Sequence, residues 1–276
     1  MSHLMNTYAR QPVTFTHGQG AWLWDESGRK YLDALAGIAV NGLGHNHPRL
    51  VKAIADQAAK LIHTSNLYGV RHQESLADRI CALSGLEEVF FGSSGAEANE
   101  AAIKLARFYG HQNGIAEANI IVMEDAWHGR TLATLAATDS KKAKAGFEPM
   151  MAGFVRVPYN DQRAIEHVAA NTPNVVAVLV EVLQGEGGIH VADTEYVRFL
   201  RRICDDRRWL LMVDEVQCGI GRTGRWFGFQ WSGIKPDVMT LAKGLGSGVP
   251  IGAIVVGPRA LDVLGPGNHG TTFGGN

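Results

Sequence analysis

The chain has 276 residues, 46% of them hydrophobic and 19% charged, with a formal net charge of −1. That length and composition describe a globular protein of one large domain, or of one domain with part of another, and exclude an intrinsically disordered chain. The near-zero charge offers no basic face to nucleic acid, and no run of 18 apolar residues is present to span a membrane.

Residues 13–35 read as a β-meander, with Val13-Thr14-Phe15 and Ala21-Trp22-Leu23-Trp24 flanking His17-Gly18-Gln19-Gly20, and Ser27-Gly28 making a second turn. A loop over 42–48 ends in Pro48 at a helix start, and Val51, Ile54, Ala58, Leu61 and Ile62 form one helical stripe. A second helix is predicted over 73–83. From about residue 86 strands and helices alternate. Strands are predicted at 89–91, 120–123, 154–157, 175–182 and 253–256, with two more ending at Asp214 and Lys243. Helices are predicted over 96–109, where Glu100 and Lys104 are spaced to pair at i,i+4, and over 193–208, where Tyr196, Val197, Leu200, Ile203 and Cys204 face inward. This order predicts an α/β domain with a mostly parallel sheet and ligands beyond the carboxyl ends of its strands. Cys81, Cys204 and Cys218 have no metal-ligand spacing and read as reduced thiols of a cytoplasmic protein, and the N-terminus lacks a signal-peptide core.

The strand 210–214 delivers Asp214 after an apolar run, and a later apolar run delivers Lys243 between Ala242 and Gly244. An acid and a lysine at separate strand ends are what a pyridoxal phosphate site requires: the amine forms a Schiff base with the aldehyde, and the carboxylate keeps the pyridine nitrogen protonated. Val216 is placed to pack on the ring and Gln217 to donate to its oxygen. Gly92-Ser93-Ser94-Gly95-Ala96 joins a strand to a helix, where exposed N–H groups can cradle a phosphate. Trp127-His128-Gly129-Arg130 follows another strand, offering an aromatic to stack on a ring and a guanidinium to grip a carboxylate.

Two further patterns fail on context. Gly219-Ile220-Gly221-Arg222-Thr223-Gly224 matches a dinucleotide fingerprint, yet the aromatic stretch from Trp226 does not begin a helix. Asp214-Glu215 resembles the acidic strand of a P-loop ATPase, but no Gly-Lys pair exists to complete one.

Taken in order, Ser-Ser-Gly-Ala (93–96), Trp-His-Gly-Arg (127–130), Gly-Glu-Gly (185–187), Asp-Glu-Val-Gln (214–217), Ala-Lys-Gly (242–244) and Thr-Thr-Phe-Gly-Gly-Asn (271–276) resemble the class III, fold type I, pyridoxal-phosphate-dependent aminotransferases. Residues 37–45 and 63–68 are most similar to the acetylornithine branch of that class. The resemblance implies that Lys243 holds the cofactor and then shuttles the proton at the reacting carbon, that Asp214 pairs with the ring nitrogen, and that Gln217 contacts the ring hydroxyl. It implies phosphate binding by Gly95 and Ala96, and ring stacking by Trp127 where the family more often has Phe or Tyr. It implies a substrate carboxylate on Arg130, with Glu186 near the substrate. Thr271 and Thr272 resemble a pair that reaches into a neighbouring subunit, Thr272 toward the phosphate, which implies a homodimer with shared active sites and no metal. The expected organisation is an N-terminal segment of a small domain over 1–48 and a large cofactor domain over 49–276, with the family's C-terminal small domain absent. The expected reaction passes the δ-amino group of N2-acetylornithine to 2-oxoglutarate, a step of arginine biosynthesis. Succinylornithine, ornithine, 4-aminobutyrate and N-succinyl-diaminopimelate remain alternative donors. A decarboxylase or aminomutase of the same fold, or a fragment without turnover, remain alternative classes.

Overall fold

The computed structural model describes residues 3–276. Contacts divide them into a unit ending at Leu61 and a second unit, Ile62–Asn276. The first therefore keeps the helix after Pro48 with the meander, beyond the boundary at residue 48 that the sequence suggests.

The first unit contains an antiparallel meander of β1 (Phe15–Gln19), β2 (Trp22–Asp25) and β3 (Lys30–Leu32), a helical turn α1 (Ala36–Ala39) and helix α2 (Pro48–Ala58). Asp25 organises the β2–β3 turn: its carboxylate accepts the N–H groups of Ser27 and Arg29 at 2.9 Å each and the Tyr31 hydroxyl at 2.8 Å. Pro48 takes the first position of α2, where its missing N–H costs nothing. The predicted stripe of α2 is exposed, with Val51 at 47% and Ile54 at 46%.

The second unit runs through α3 (Arg71–Ser84), β4 (Glu88–Gly92), α4 (Gly95–Gln112), β5 (Asn119–Met123), α5 (Leu132–Ala137), α6 (Lys141–Lys144), β6 (Phe154–Val157), α7 (Gln162–Asn171), β7 (Val175–Val180), the two-residue strands β8 (Leu183–Gln184) and β9 (His190–Val191), α8 (Thr194–Arg207), β10 (Leu210–Asp214), β11 (Val238–Leu241) and β12 (Gly252–Val256). Seven strands form one sheet in the order β4-β12-β11-β10-β7-β5-β6. From β11 to β6 every neighbouring pair is parallel, whereas β12 is antiparallel to both β11 and β4. The alternating sequence therefore gives the mostly parallel α/β sheet it predicts.

Strand alternation sorts the core into two layers. Ile120, Val122, Leu210, Met212 and Val238 pack with Ala102, Ile103 and Ala106 of α4. Ile121, Met123, Leu211, Val213 and Met239 pack on the opposite face with Ile165 of α7 and Tyr196, Val197, Leu200 and Ile203 of α8. All six residues of β7 are buried, as a central parallel strand covered on both faces requires.

Several expectations are corrected. Helices α5, α6 and α7 were not anticipated: α5 is a six-residue apolar stretch without a polar face, and α7 buries only Ile165, Val168 and Ala169. Strand β7 stops at Val180, leaving Glu181 and Val182 outside the ladder. Strand β11 stops at Leu241, and Lys243 begins a short 3-10 turn. Glu100 and Lys104 do not pair. Glu100 accepts from the Thr131 hydroxyl and the Thr134 N–H, and Lys104 donates to the Asn268 carbonyl at 3.0 Å. Tertiary partners outweigh an exposed i,i+4 pair worth about 0.2–0.5 kcal/mol. The glycines at 219–224 lead through turns to a 3-10 segment at Gly228–Trp231, not to a dinucleotide-binding helix.

Candidate active site

Residues 210, 212 and 214 share the α4 side of the sheet, so alternation aims Asp214 at that helix. It is 3% exposed. Its Oδ2 accepts from Asn99 Nδ2 on α4 and from His128 Nδ1 after β5, both at 2.8 Å. Since a carboxylate can only accept, the His128 hydrogen in this pair lies on Nδ1. Oδ1 accepts the Val216 N–H at 3.0 Å and, more distantly, the hydroxyl of Thr240 at 3.3 Å. Thr240 lies opposite Asp214 in the β10–β11 register. Val216 reaches this position through a turn beyond the end of β10.

Lys243 is carried just past β11 with φ +43°, a left-handed conformation that costs on the order of 1–3 kcal/mol and is held by its surroundings. Burial lowers the pKa of its amine below the usual lysine range, against the opposing pull of Asp214, Glu181 and Glu186. Glu186 itself lies exposed in the turn at 185–188. Gln217 occupies the space that a side chain at Gly185 would need.

Ser94 caps α4, accepting the Glu97 N–H at 3.2 Å, while the Glu97 carboxylate takes the Ser93 N–H at 2.8 Å. The N–H groups of Gly95 and Ala96 open the helix without intrahelical partners. A Cβ at Gly95 would stand 2.7 Å from Val216 Cγ1, so only glycine lets this helix end approach the Asp214 turn.

The loop carrying Trp127 is fastened at every residue from 127 to 129. Trp127 N–H donates to Glu181 at 2.9 Å, His128 N–H to Thr138 Oγ1 at 2.9 Å, and Gly129 N–H to the same hydroxyl at 3.3 Å. The His128 carbonyl accepts from Asn99 at 2.8 Å. Gly129 adopts φ +143°, and a Cβ there would stand 3.1 Å from that of Ala96. The Arg130 guanidinium lies 4.8 Å from the centroid of the Trp127 ring.

Asp214, Val216, Gly95, Ala96, Trp127, Arg130, Gln217, Glu186 and Lys243 thus surround the carboxyl ends of β4, β5, β7, β10 and β11. Thr271 and Thr272 stand apart. Asn66 donates to the Thr271 carbonyl at 3.4 Å and to that of Gly274 at 3.0 Å, in a segment packed against Phe91 of β4. Asn99, His128, Thr240 and Glu181 are the members of the site to which the sequence assigned no role. Asn99 carried a signal: it shares the i, i+3, i+4, i+7 face of Ala102, Ile103 and Ala106, where a polar side chain needs buried partners.

A pyridoxal phosphate fits these residues on two structural grounds. Among the described residues Asn99 Oδ1 and His128 Nε2 are buried polar atoms without partners, at a site where Asp214 Oδ1 has one short donor, the Val216 N–H. The close approach at Gly95 also sets the N–H groups of Gly95 and Ala96, unpaired among the described residues, against the turn that carries Val216.

A family model described as aminotransferase class III matches residues 4–276. An acetylornithine aminotransferase of Nitrosomonas europaea is 64% identical over 276 residues, covering 100% of this chain and 70% of the relative. Two solved structures superpose closely. An ornithine aminotransferase of Toxoplasma gondii, described with partial occupancy of pyridoxal phosphate at its active site, gives a TM-score of 0.94 at 35% identity, covering 99% of this chain and 65% of that one. An N-acetylornithine aminotransferase of Stenotrophomonas maltophilia K279a gives 0.81 at 39% identity, covering 94% and 65%. This chain therefore spans about two thirds of the length of the structures it matches.

Proposed function

The chain belongs to the class III aminotransferases, and from that membership we propose that it binds pyridoxal phosphate at Lys243 and Asp214 and transfers the δ-amino group of N2-acetylornithine to 2-oxoglutarate. The observation that carries this reading is the buried, four-donor Asp214 set beside a desolvated Lys243. When bound, the cofactor supplies an aldehyde that takes up the amino nitrogen and a protonated ring that accepts the electrons released as the amino-bearing carbon loses its proton.

The side chains divide the remaining work. Burial favours the neutral Lys243 amine, the form that can accept a proton from that carbon and return it elsewhere. Asp214 holds negative charge behind the ring nitrogen, and its buried donors keep the carboxylate fixed without reorganisation. The N–H groups of Gly95 and Ala96, at the positive end of α4, bind phosphate. Trp127 would stack on the ring, Val216 would support it, and Gln217 would contact the ring hydroxyl. Arg130, which makes no ion pair among the described residues, receives a substrate carboxylate in bidentate geometry, and Glu186 borders the substrate.

The same reading makes the protein a cytoplasmic homodimer in which Thr271 and Thr272 complete the partner's site, Thr272 toward the phosphate. Their placement at the β4 edge, beside exposed Leu67 at 87% and Phe273 at 60%, supports that role, and three free thiols fit a reducing compartment. Steady-state kinetics with 2-oxoglutarate and a donor panel of N2-acetylornithine, succinylornithine, ornithine, 4-aminobutyrate and N-succinyl-diaminopimelate test the assignment. The highest kcat/KM is expected with N2-acetylornithine. A higher value with another donor reassigns the substrate, and no turnover with any donor overturns the activity.

A further inference from the structure

Glu181 is a buried carboxylate, 5% exposed, that the mechanism above leaves without a task. It lies one residue past β7, and strand alternation turns it to the same side of the sheet as Asp214. Its Oε2 accepts the Trp127 N–H at 2.9 Å, and its main-chain carbonyl accepts the Tyr159 hydroxyl at 2.8 Å. Charged and titratable groups face it from every neighbouring element: Tyr159 after β6, His128 after β5, Asp214 and Cys218 at and beyond the end of β10, and Lys243 beyond β11. Among the described residues Glu181 forms no ion pair within 4 Å. A buried carboxylate so placed is costly, and an N–H acceptor alone does not need the charge, since an uncharged amide oxygen would serve.

We infer that Glu181 is a positioning residue of the active site, seating the loop that carries Trp127 and supplying, together with Asp214, the negative charge that retains a proton on the Lys243 amine. Two electrostatic features agree. Lys243 responds electrostatically to Glu181 next after Asp214, in the direction that favours its charged form. Conversely, burial raises the Glu181 pKa to about 7, against the opposing influence of His128. Each group therefore favours the charged form of the other. The inference rests on the reading of Lys243 as the reacting amine, but its test does not measure turnover.

The test is competitive acetylation of the cofactor-free full chain with acetic anhydride across pH, followed by peptide mass mapping, which reports a labelling midpoint for each lysine. In Glu181→Gln the midpoint of Lys243 is expected to fall by on the order of one pH unit, with the midpoint of Lys144 unchanged. Hydrogen exchange at the Trp127 amide is expected to stay slow, because the Gln carbonyl still accepts it. An unchanged Lys243 midpoint, or an equal fall at Lys144, overturns the inference. Glu181→Asp covers the case in which the Gln variant does not fold. Keeping the charge but shortening the side chain is expected to preserve the Lys243 midpoint and speed exchange at Trp127, whereas a Trp127 amide protected as in the parent overturns the seating role. Failure here leaves the donor panel untouched, and failure of the donor panel leaves these midpoints untouched, so the two readings fall separately.

Discussion

Asn99 on α4 and Asp214 at the end of β10 meet Nδ2 to Oδ2 at 2.8 Å in the buried layer between helix and sheet. The same Asn99 nitrogen donates to the His128 carbonyl at 2.8 Å, and His128 returns through its ring to the same carboxylate oxygen. Helix, loop and strand are thereby closed into one polar unit around the Asp214 carboxylate.

Truncating Asn99 to Ala strands the His128 carbonyl and removes one of the two donors to Asp214 Oδ2. The expected cost is about 1–3 kcal/mol, seen as a melting temperature lower by roughly 2–4 °C per kcal/mol. A melt indistinguishable from the parent would show that the unit holds without it.

Lys243→Ala is expected to remove covalent retention of the cofactor and to abolish turnover. Borohydride reduction of cofactor-loaded protein followed by peptide mapping should label position 243 in the parent and nowhere in the variant. Full activity in Lys243→Ala would refute its assignment.

Asp214→Asn keeps the size of the side chain but removes the charge behind the ring nitrogen. Cofactor binding should persist, while the first half-reaction, followed by stopped-flow absorbance with the amino donor, should slow by about 10²–10³-fold. An unaltered rate would separate Asp214 from the ring nitrogen.

Gly95→Ala places a methyl group 2.7 Å from Val216 Cγ1. The helix end must retreat from the Asp214 turn, at a cost of about 1–3 kcal/mol. Cofactor affinity, measured by fluorescence titration of the stripped protein, should fall by about tenfold. Equal affinity would mean that phosphate is held elsewhere.

Glu215 is buried, raising its pKa from 4.5 to about 6, although it accepts the N–H groups of Gly228 and Phe229 at 2.8 Å and the Cys218 thiol. Its folded pKa exceeds its unfolded one, so its stabilising contribution is complete below 4.5 and is lost as pH rises through about 6. Relative to Glu215→Gln, which cannot titrate, the parent should lose on the order of 2 kcal/mol between those limits. Urea unfolding at several pH values reads the difference. A constant gap between the two proteins would contradict it.

Much of this architecture was legible in the residues. The alternation of strands and helices from about residue 86 pointed to a mostly parallel sheet, and apolar runs ending in Asp214 and before Lys243 marked two of the residues that the fold brings together. What stayed hidden depends on three-dimensional neighbours. Glu100 has a good helical partner in Lys104, yet Thr131 and Thr134 from a distant turn claim it. Glu181 reads as the tail of an apolar strand until β7 ends one residue earlier and turns it into the site. His128 sits in the Trp-His-Gly-Arg stretch, but its pairing with Asp214 joins β5 to β10 across β7, which no local spacing reports.

Strand β4 forms one outer margin of the seven-stranded sheet and, among the described residues, is hydrogen-bonded there only to β12, with Glu88 paired to Val256 and Gly92 to Gly252. On a ribosome β4 emerges early, but its neighbour β12 is the last strand of the sheet to be made. Assembly of that margin therefore waits for every strand that lies between them in sequence, and closure over so long a loop is slow. Until then Val89, Phe90 and Phe91 present an unpaired apolar ribbon, so yield on expression should depend on chaperone capacity and on low temperature more than on the equilibrium stability of the finished protein.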